Sequence, residues 1–205
     1  MRYDLNTVAK KGRRRQDHLA RKAQTEGYHA RSVYKLREID EKYAIFRGGI
    51  SALDLGAAPG SWSQYAVGRG ATVTAVDIKP LEITGPAVIQ GDFTDLDVAA
   101  AISAAGPFDV VVSDAAPATT GNRIVDTGRS EALVESIVAE LPRWLAEGGA
   151  CVVKLFQGGG EQQLLATFRE VFRTAALVRP KAVRRESFET YIVGRGYRGG
   201  GAGPR

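Results

Sequence analysis

The chain has one cysteine, Cys151, and two histidines, His18 and His29, in 205 residues. A lone cysteine excludes an internal disulfide framework and fits a reducing compartment. Cys151 stands in an apolar run and reads as buried filler. Neither histidine has cysteine or acid partners at metal-ligand spacing, so no metal site is expected. No apolar run approaches the about 18–20 residues of a membrane span, and no membrane partner is expected. The basic N-terminus has no apolar stretch behind it to make a secretory signal. These absences leave a cytoplasmic chain, monomeric by default, large enough for one domain with a substantial core.

What is present is unevenly placed. Residues 1–47 hold 13 Lys/Arg against 6 Asp/Glu, and the rest of the chain holds 15 against 17. A basic surplus in one segment has the electrostatic footprint of a polyanion binder. A solubilising tail has the same composition. Residues 1–27, with Arg13-Arg14-Arg15, are poor in apolar residues and read as an extended arm. Arg31, Lys35, Arg37 and Lys42 then flank a helix expected from Ser32, its cap, to about Ala44.

From Ile50 onward, short apolar runs alternate with helical patterns. Strands are expected at 50–55, 71–77, 87–90, 108–113, 150–156, 175–178 and 190–193. Helices are expected at 61–67, 96–105, 129–145 and 162–172, with Pro142 as a kink or stop and 114–127 as a loop. This is an α/β pattern: a mostly parallel seven-stranded sheet, its last two strands forming an antiparallel edge hairpin. The main domain is expected to span residues 28–196, after the arm of 1–27. A Gly/Arg-rich run begins at Gly194, and 197–205 reads as a disordered tail.

In such sheets ligands bind beyond the carboxyl ends of the strands. The first strand runs into Asp54-Leu-Gly-Ala-Ala-Pro-Gly-Ser-Trp62, a small-residue turn opening a helix. Taken alone, that turn serves equally as a tight connection or a ligand loop. It lacks the Gly-x-Gly-x-x-Gly spacing of a dinucleotide pyrophosphate site, and the chain has no Gly-x-x-x-x-Gly-Lys-Ser/Thr loop. The second strand ends at Asp77, placed to accept from ribose hydroxyls. The third runs into Gly91-Asp92-Phe93, a carboxylate and an aromatic suited to a purine. The fourth ends at Asp114, and the fifth contains Lys154 amid apolar neighbours, costly to bury without a partner. Each residue alone has an ordinary reading as a cap, a turn or core. Together they outline a nucleoside pocket without a phosphate cradle, which suits S-adenosylmethionine.

The ordered set Asp-Leu-Gly-Ala-Ala-Pro-Gly-Ser-Trp-Ser-Gln, Gly-Asp-Phe, Ser-Asp-Ala-Ala-Pro and Val-Val-Lys-Leu-Phe-Gln-Gly resembles the FtsJ-type RNA ribose 2′-O-methyltransferases, above all the bacterial type acting on large-subunit ribosomal RNA. The resemblance covers about residues 25–196. It implies a Rossmann-like methyltransferase fold, S-adenosylmethionine as cofactor, and ribosomal RNA as partner, within the large subunit. It implies transfer to a ribose 2′-hydroxyl, that of a uridine. It also implies a catalytic set of Lys35, Asp114, Lys154 and Glu189, and cofactor contacts at Gly60, Trp62, Asp77, Asp92 and Asp114. Glu186 is a rival for Glu189. Strand phase favours Glu189, which shares a face with Tyr191 and Val193. Ser61 departs from the resemblance, since the family usually has glycine there. A tRNA ribose methyltransferase of the same family, or a non-catalytic RNA-binding assembly factor, are the alternative readings.

Overall fold

The computed structural model describes residues 18–199. The arm's Arg13–Arg15 and the tail beyond Gly199 lie outside the described residues. Residues 18–25 are helical (α1) rather than extended. Ala23 is the reason: it is buried among α2 side chains.

The strands are β1 (Ser51–Leu55), β2 (Thr72–Asp77), β3 (Ala87–Gln90), β4 (Phe108–Ser113), β5 (Leu145–Phe156), β6 (Phe172–Val178) and β7 (Glu189–Tyr197). The helices that follow α1 are α2 (Val33–Tyr43), α3 (Ser61–Gly68), α4 (Leu96–Ala105), α5 (Arg123–Trp144) and α6 (Glu161–Val171). The sheet order is β3-β2-β1-β4-β5-β7-β6. Strands β1 to β5 pair in parallel. β7 is antiparallel to both β5 and β6, so the hairpin forms as expected and β6 is the outermost strand.

Both faces of the sheet are covered, and the middle residues of the strands alternate between them. On one face Leu53, Leu55, Val111, Cys151, Val153, Leu155 and Ile192 pack under α4, α5 and α6. On the other Ala52, Val73, Val110, Val112, Val152, Tyr191 and Val193 pack under α2 and α3. The chain order reverses between β1 and β4, and a crevice opens there at the strands' carboxyl ends.

Four sequence expectations need correction. Helix α5 starts at Arg123, six residues early, because the Asn122 side chain caps it by accepting from Ile124 N (3.1 Å) and Val125 N (3.4 Å). It ends at Trp144, two residues past Pro142. β5 starts at Leu145 rather than Ala150; its pairing with β4 slips between Phe108 and Val110, where Gly148-Gly149 interrupts the apolar pattern. β7 runs on to Tyr197, through glycines that composition assigns to a tail. A Cβ on Gly194 would sit 2.6 Å from the Phe172 ring, so glycine there serves packing. Tyr197 then packs against Phe172, the rings tilted at 53° with centroids 5.4 Å apart. Finally, Ser32 precedes α2 without capping it. Its hydroxyl pairs instead with Ser61 Oγ at 2.7 Å.

Candidate active site

The small-residue turn after β1 is held by its neighbours. Gly56 N and Ala57 N donate to Val76 O of β2 at 2.9 and 3.1 Å. Gly56 adopts φ +70°, and a Cβ there would lie 2.5 Å from Ala115 Cβ, so the β1 and β4 turns touch at the crevice. Asp77 Oδ2 accepts from Ala58 N and Oδ1 from Lys79 N, both at 2.8 Å. Asp77 therefore shapes the turn as well as facing the cavity, and each oxygen keeps a lone pair for a ligand.

A cavity of about 480 Å³ lies at these strand ends, lined by Gly56, Ala58, Asp77, Asp92, Asp114 and Leu133 among others. Three carboxylates and one lysine, Lys79, face it, a balance that favours a cationic or hydroxyl-rich ligand over a phosphate. Asp92 Oδ1 accepts from Thr94 N (2.9 Å) and Thr94 Oγ1 (2.7 Å), which leaves Oδ2 without a hydrogen-bond partner among the described residues. Phe93 lines the cavity, but it is 7% exposed and its ring packs edge-on against Trp144 at 6.2 Å. The apolar wall that remains open is Ile78, which is 65% exposed. Gly60 and Trp62 lie outside this lining. Trp62 is buried and donates from Nε1 to Ser32 O at 2.9 Å, tying the turn to α2.

Beside the cavity the structure brings Lys35, Asp114, Lys154 and Glu189 together. Lys154 Nζ lies 3.1 Å from Asp114 Oδ1 and also donates to Asp114 O. Lys35 Nζ is 3.7 Å from Asp114 Oδ2 and 2.7 Å from Glu189 Oε1. The four charges cancel in a largely buried cluster, where an unpaired one would be costly. Burial pushes the Asp114 carboxyl up, but Lys154, Lys35 and the Tyr191 hydroxyl together hold it below the usual carboxylate range. Glu186 is exposed in the loop before β7.

One pleat explains the convergence. On the face under α2 and α3, the residue two beyond Ala52 is Asp54, beyond Ala75 Asp77, beyond Val112 Asp114 and beyond Val152 Lys154. β7 runs the other way, so Glu189 lies two before Tyr191. Apolar side chains give way to charged ones on this face of five strands: Asp114 and Lys154 lie level, Asp54 one step below them beside Val112, and Glu189 one step beyond, opposite Phe156.

Two residues of this row escape a reading of the sequence for sites. Tyr191 faces Lys154 across the β5–β7 ladder and donates its hydroxyl to Asp114 Oδ1 at 2.7 Å. Its strand phase was the available signal. Asp54 is 1% exposed, accepts from Ser63 Oγ at 2.6 Å, and its Oδ1 has no hydrogen-bond partner among the described residues. Burial, with the nearby Asp114 and Asp77 charges, raises its pKa to about 7, against the opposing pull of Ser63. An acid inside an apolar strand was the clue.

Residues 28–197 match the family model described as FtsJ-like methyltransferase. The chain is 45% identical over 190 residues to a ribosomal RNA large subunit methyltransferase E from Treponema denticola, covering 89% of this chain and 96% of the relative. It is likewise 45% identical over 185 residues to the protein of that name from Syntrophobacter fumaroxidans, covering 87% and 94%. A crystal structure of a ribosomal RNA methyltransferase from Plasmodium falciparum superposes with a TM-score of 0.74 at 27% identity, covering 84% of this chain and all of that one.

Proposed function

The chain belongs to the FtsJ-like methyltransferase family, and from that premise we propose that it moves a methyl group from S-adenosylmethionine to the 2′-hydroxyl of a ribose, a uridine's, in large-subunit ribosomal RNA. The observation that carries this reading is Asp114, which lines the acidic cavity and at the same time holds both lysines. A methyl donor in that cavity meets an amine at its rim. The relatives' names point to large-subunit ribosomal RNA, and the reaction belongs in the cytoplasm, where ribosomes assemble. All four charged groups come from one chain, so the site needs no second copy.

The residues fit the cofactor chemically. Asp77 retains acceptor capacity for ribose hydroxyls, and Asp92 Oδ2 for an exocyclic amine. The unpartnered Asp54 Oδ1 adds buried acceptor capacity behind the turn that Gly60 and Trp62 shape. When bound, S-adenosylmethionine supplies a sulfonium methyl that needs no further activation. The protein must align the hydroxyl with it and remove a proton.

Lys154 serves that end. An amine has up to three N–H directions. Asp114 takes two of them, with Oδ1 and its backbone oxygen, and the third direction is left for O2′. With the hydroxyl held there, its proton would leave by way of the Lys154 amine, which would give one up to solvent in turn. Glu189 holds Lys35 in the cluster. Alignment of this kind supplies up to about 7–11 kcal/mol of the barrier, and base assistance typically ~10²–10⁴-fold in rate.

The test offers tritiated S-adenosylmethionine with large ribosomal subunits, free ribosomal RNA and tRNA in parallel. We expect label in large-subunit RNA. Lys154→Ala should lose about 10²-fold or more in turnover while still binding S-adenosylmethionine. Label on tRNA alone would overturn the substrate, and near-normal turnover in the variant would overturn the role of Lys154.

A further inference from the structure

Two of the four charged groups lie off the parallel core of the sheet. Lys35 is on α2, and Glu189 is the first residue of β7, where the β5–β7 ladder ends at the Phe156–Glu189 pair. Strand ends fray, and residues 179–188 before Glu189 form no helix or strand. Past that pair the sheet adds one backbone bond, Gln157 N to Phe188 O at 2.8 Å, and the rest of the loop is held by side chains.

Arg179 immediately follows β6. It is exposed, yet its two terminal nitrogens make four hydrogen bonds to neighbours. Nη1 donates to Glu189 O at 2.8 Å and to Gln157 Oε1 at 3.4 Å. Nη2 donates to Ser187 O at 2.6 Å and Arg184 O at 3.1 Å. Three backbone carbonyls of one loop thus converge on one planar fork, the geometry for which arginine differs from lysine. The far side of the loop is bound to α2. Glu38, one turn after Lys35, accepts from Lys181 N (2.6 Å) and Ala182 N (2.9 Å), and Arg31 donates to Ala182 O. The loop is sewn at one end to the helix of Lys35 and at the other to the backbone of Glu189.

We propose that Arg179 is a positioning residue for methyl transfer: its fork fixes the backbone at Glu189 and so sets the Lys35–Glu189 ion pair, with Glu38 anchoring the same loop to α2. The inference rests on the reading of Glu189 as part of the catalytic set. A misplacement of about 1 Å can cost on the order of 10²-fold in rate. Loss of the fork should act at that scale.

The experiment measures kcat and KM for ribosomal RNA in Arg179→Ala, Arg179→Lys and Glu38→Ala, with thermal melting and S-adenosylmethionine binding as controls. We expect Arg179→Ala and Arg179→Lys to lose 10- to 100-fold in kcat, with KM and cofactor binding near wild type. In a Glu189→Ala background, Arg179→Ala should add nothing further, since both act on one interaction. Full activity in Arg179→Lys would overturn the proposal, because charge alone would then suffice. So would a raised KM with normal kcat, which would make Arg179 an RNA phosphate contact. Additive losses with Glu189→Ala would also overturn it. If Arg179→Ala melts early, the lysine variant and Glu38→Ala carry the same decision. An inactive wild type, or an active Glu189→Ala, would instead count against the catalytic reading itself.

Discussion

The two faces of the sheet are built to different rules. Under α4, α5 and α6 the strands present apolar side chains along their whole length: Leu53 and Leu55 on β1, Val153 and Leu155 on β5. Under α2 and α3 the same strands are apolar only to their last pleat, where Asp54, Asp77, Asp114 and Lys154 take over. The first face holds the fold together. The second accepts the cost of buried charge and offsets it by pairing, which places a reactive amine beside an acidic cavity. A buried ionic cluster contributes little net stability compared with apolar packing, so the functional face should be the less stable one.

The strongest way to break the comparison is to damage the apolar face alone. Phe168 is fully buried and stacked on Phe172 at 5.4 Å. Phe168→Ala should cost about 3–5 kcal/mol of stability, read from denaturant unfolding, while kcat of the folded fraction stays near wild type. A large loss of kcat in that fraction would show that the two faces are not separable.

A pH series sharpens the comparison on the other face. The folded-state pKa of Asp54 is raised to about 7, above the usual carboxylate value. Between that value, near 4, and about 7 the folded state therefore binds more protons than the unfolded one. Stability from this group falls as pH rises through that window, by at most about 1.4 kcal/mol per unit. Asp114 has the opposite sign: its pKa is lowered, so its contribution is present above about 4 and lost as pH falls. Asp54→Asn should flatten the slope between pH 5 and 7 and stabilise the protein at pH 8. Melting curves in which variant and wild type share the slope would refute the assignment to Asp54.

The smallest expected effect concerns the seam between α2 and the β1 turn. Ser61→Gly removes the Ser32–Ser61 hydrogen bond, which should cost about 0.5–1.5 kcal/mol in stability. Because Trp62 still donates to Ser32 O, turnover should fall less than about tenfold. A larger loss would mean that Ser61 places the helix of Lys35.

The strand pattern and the charged strand ends were legible because period-2 alternation is a local property. Asp77, Asp92 and Asp114 stand out as acids where apolar runs end and Lys154 as a charge within one, whereas Lys35 and Glu189 were legible only through the family resemblance. Other features were hidden for stated reasons. Asn122 captured the first turn of α5 from a polar loop, and Gly194 reads as tail composition although the Phe172 ring requires it. Arg179 gave no signal at all, since its acceptors are backbone carbonyls that any sequence would provide.

The sequence by itself determined the alternating elements, the residue at which each strand turns polar, and a pocket without a phosphate cradle. Residue type and strand phase suffice for these, being local. Tertiary structure alone decided the partnerships: Asp114 shared between two lysines, Tyr191 on Asp114, and Asp54 left with a free oxygen. Only the fold brings Lys35 within 2.7 Å of Glu189, across most of the chain. Such contacts depend on sheet order and on where α2 lies over the sheet, and no local pattern encodes either.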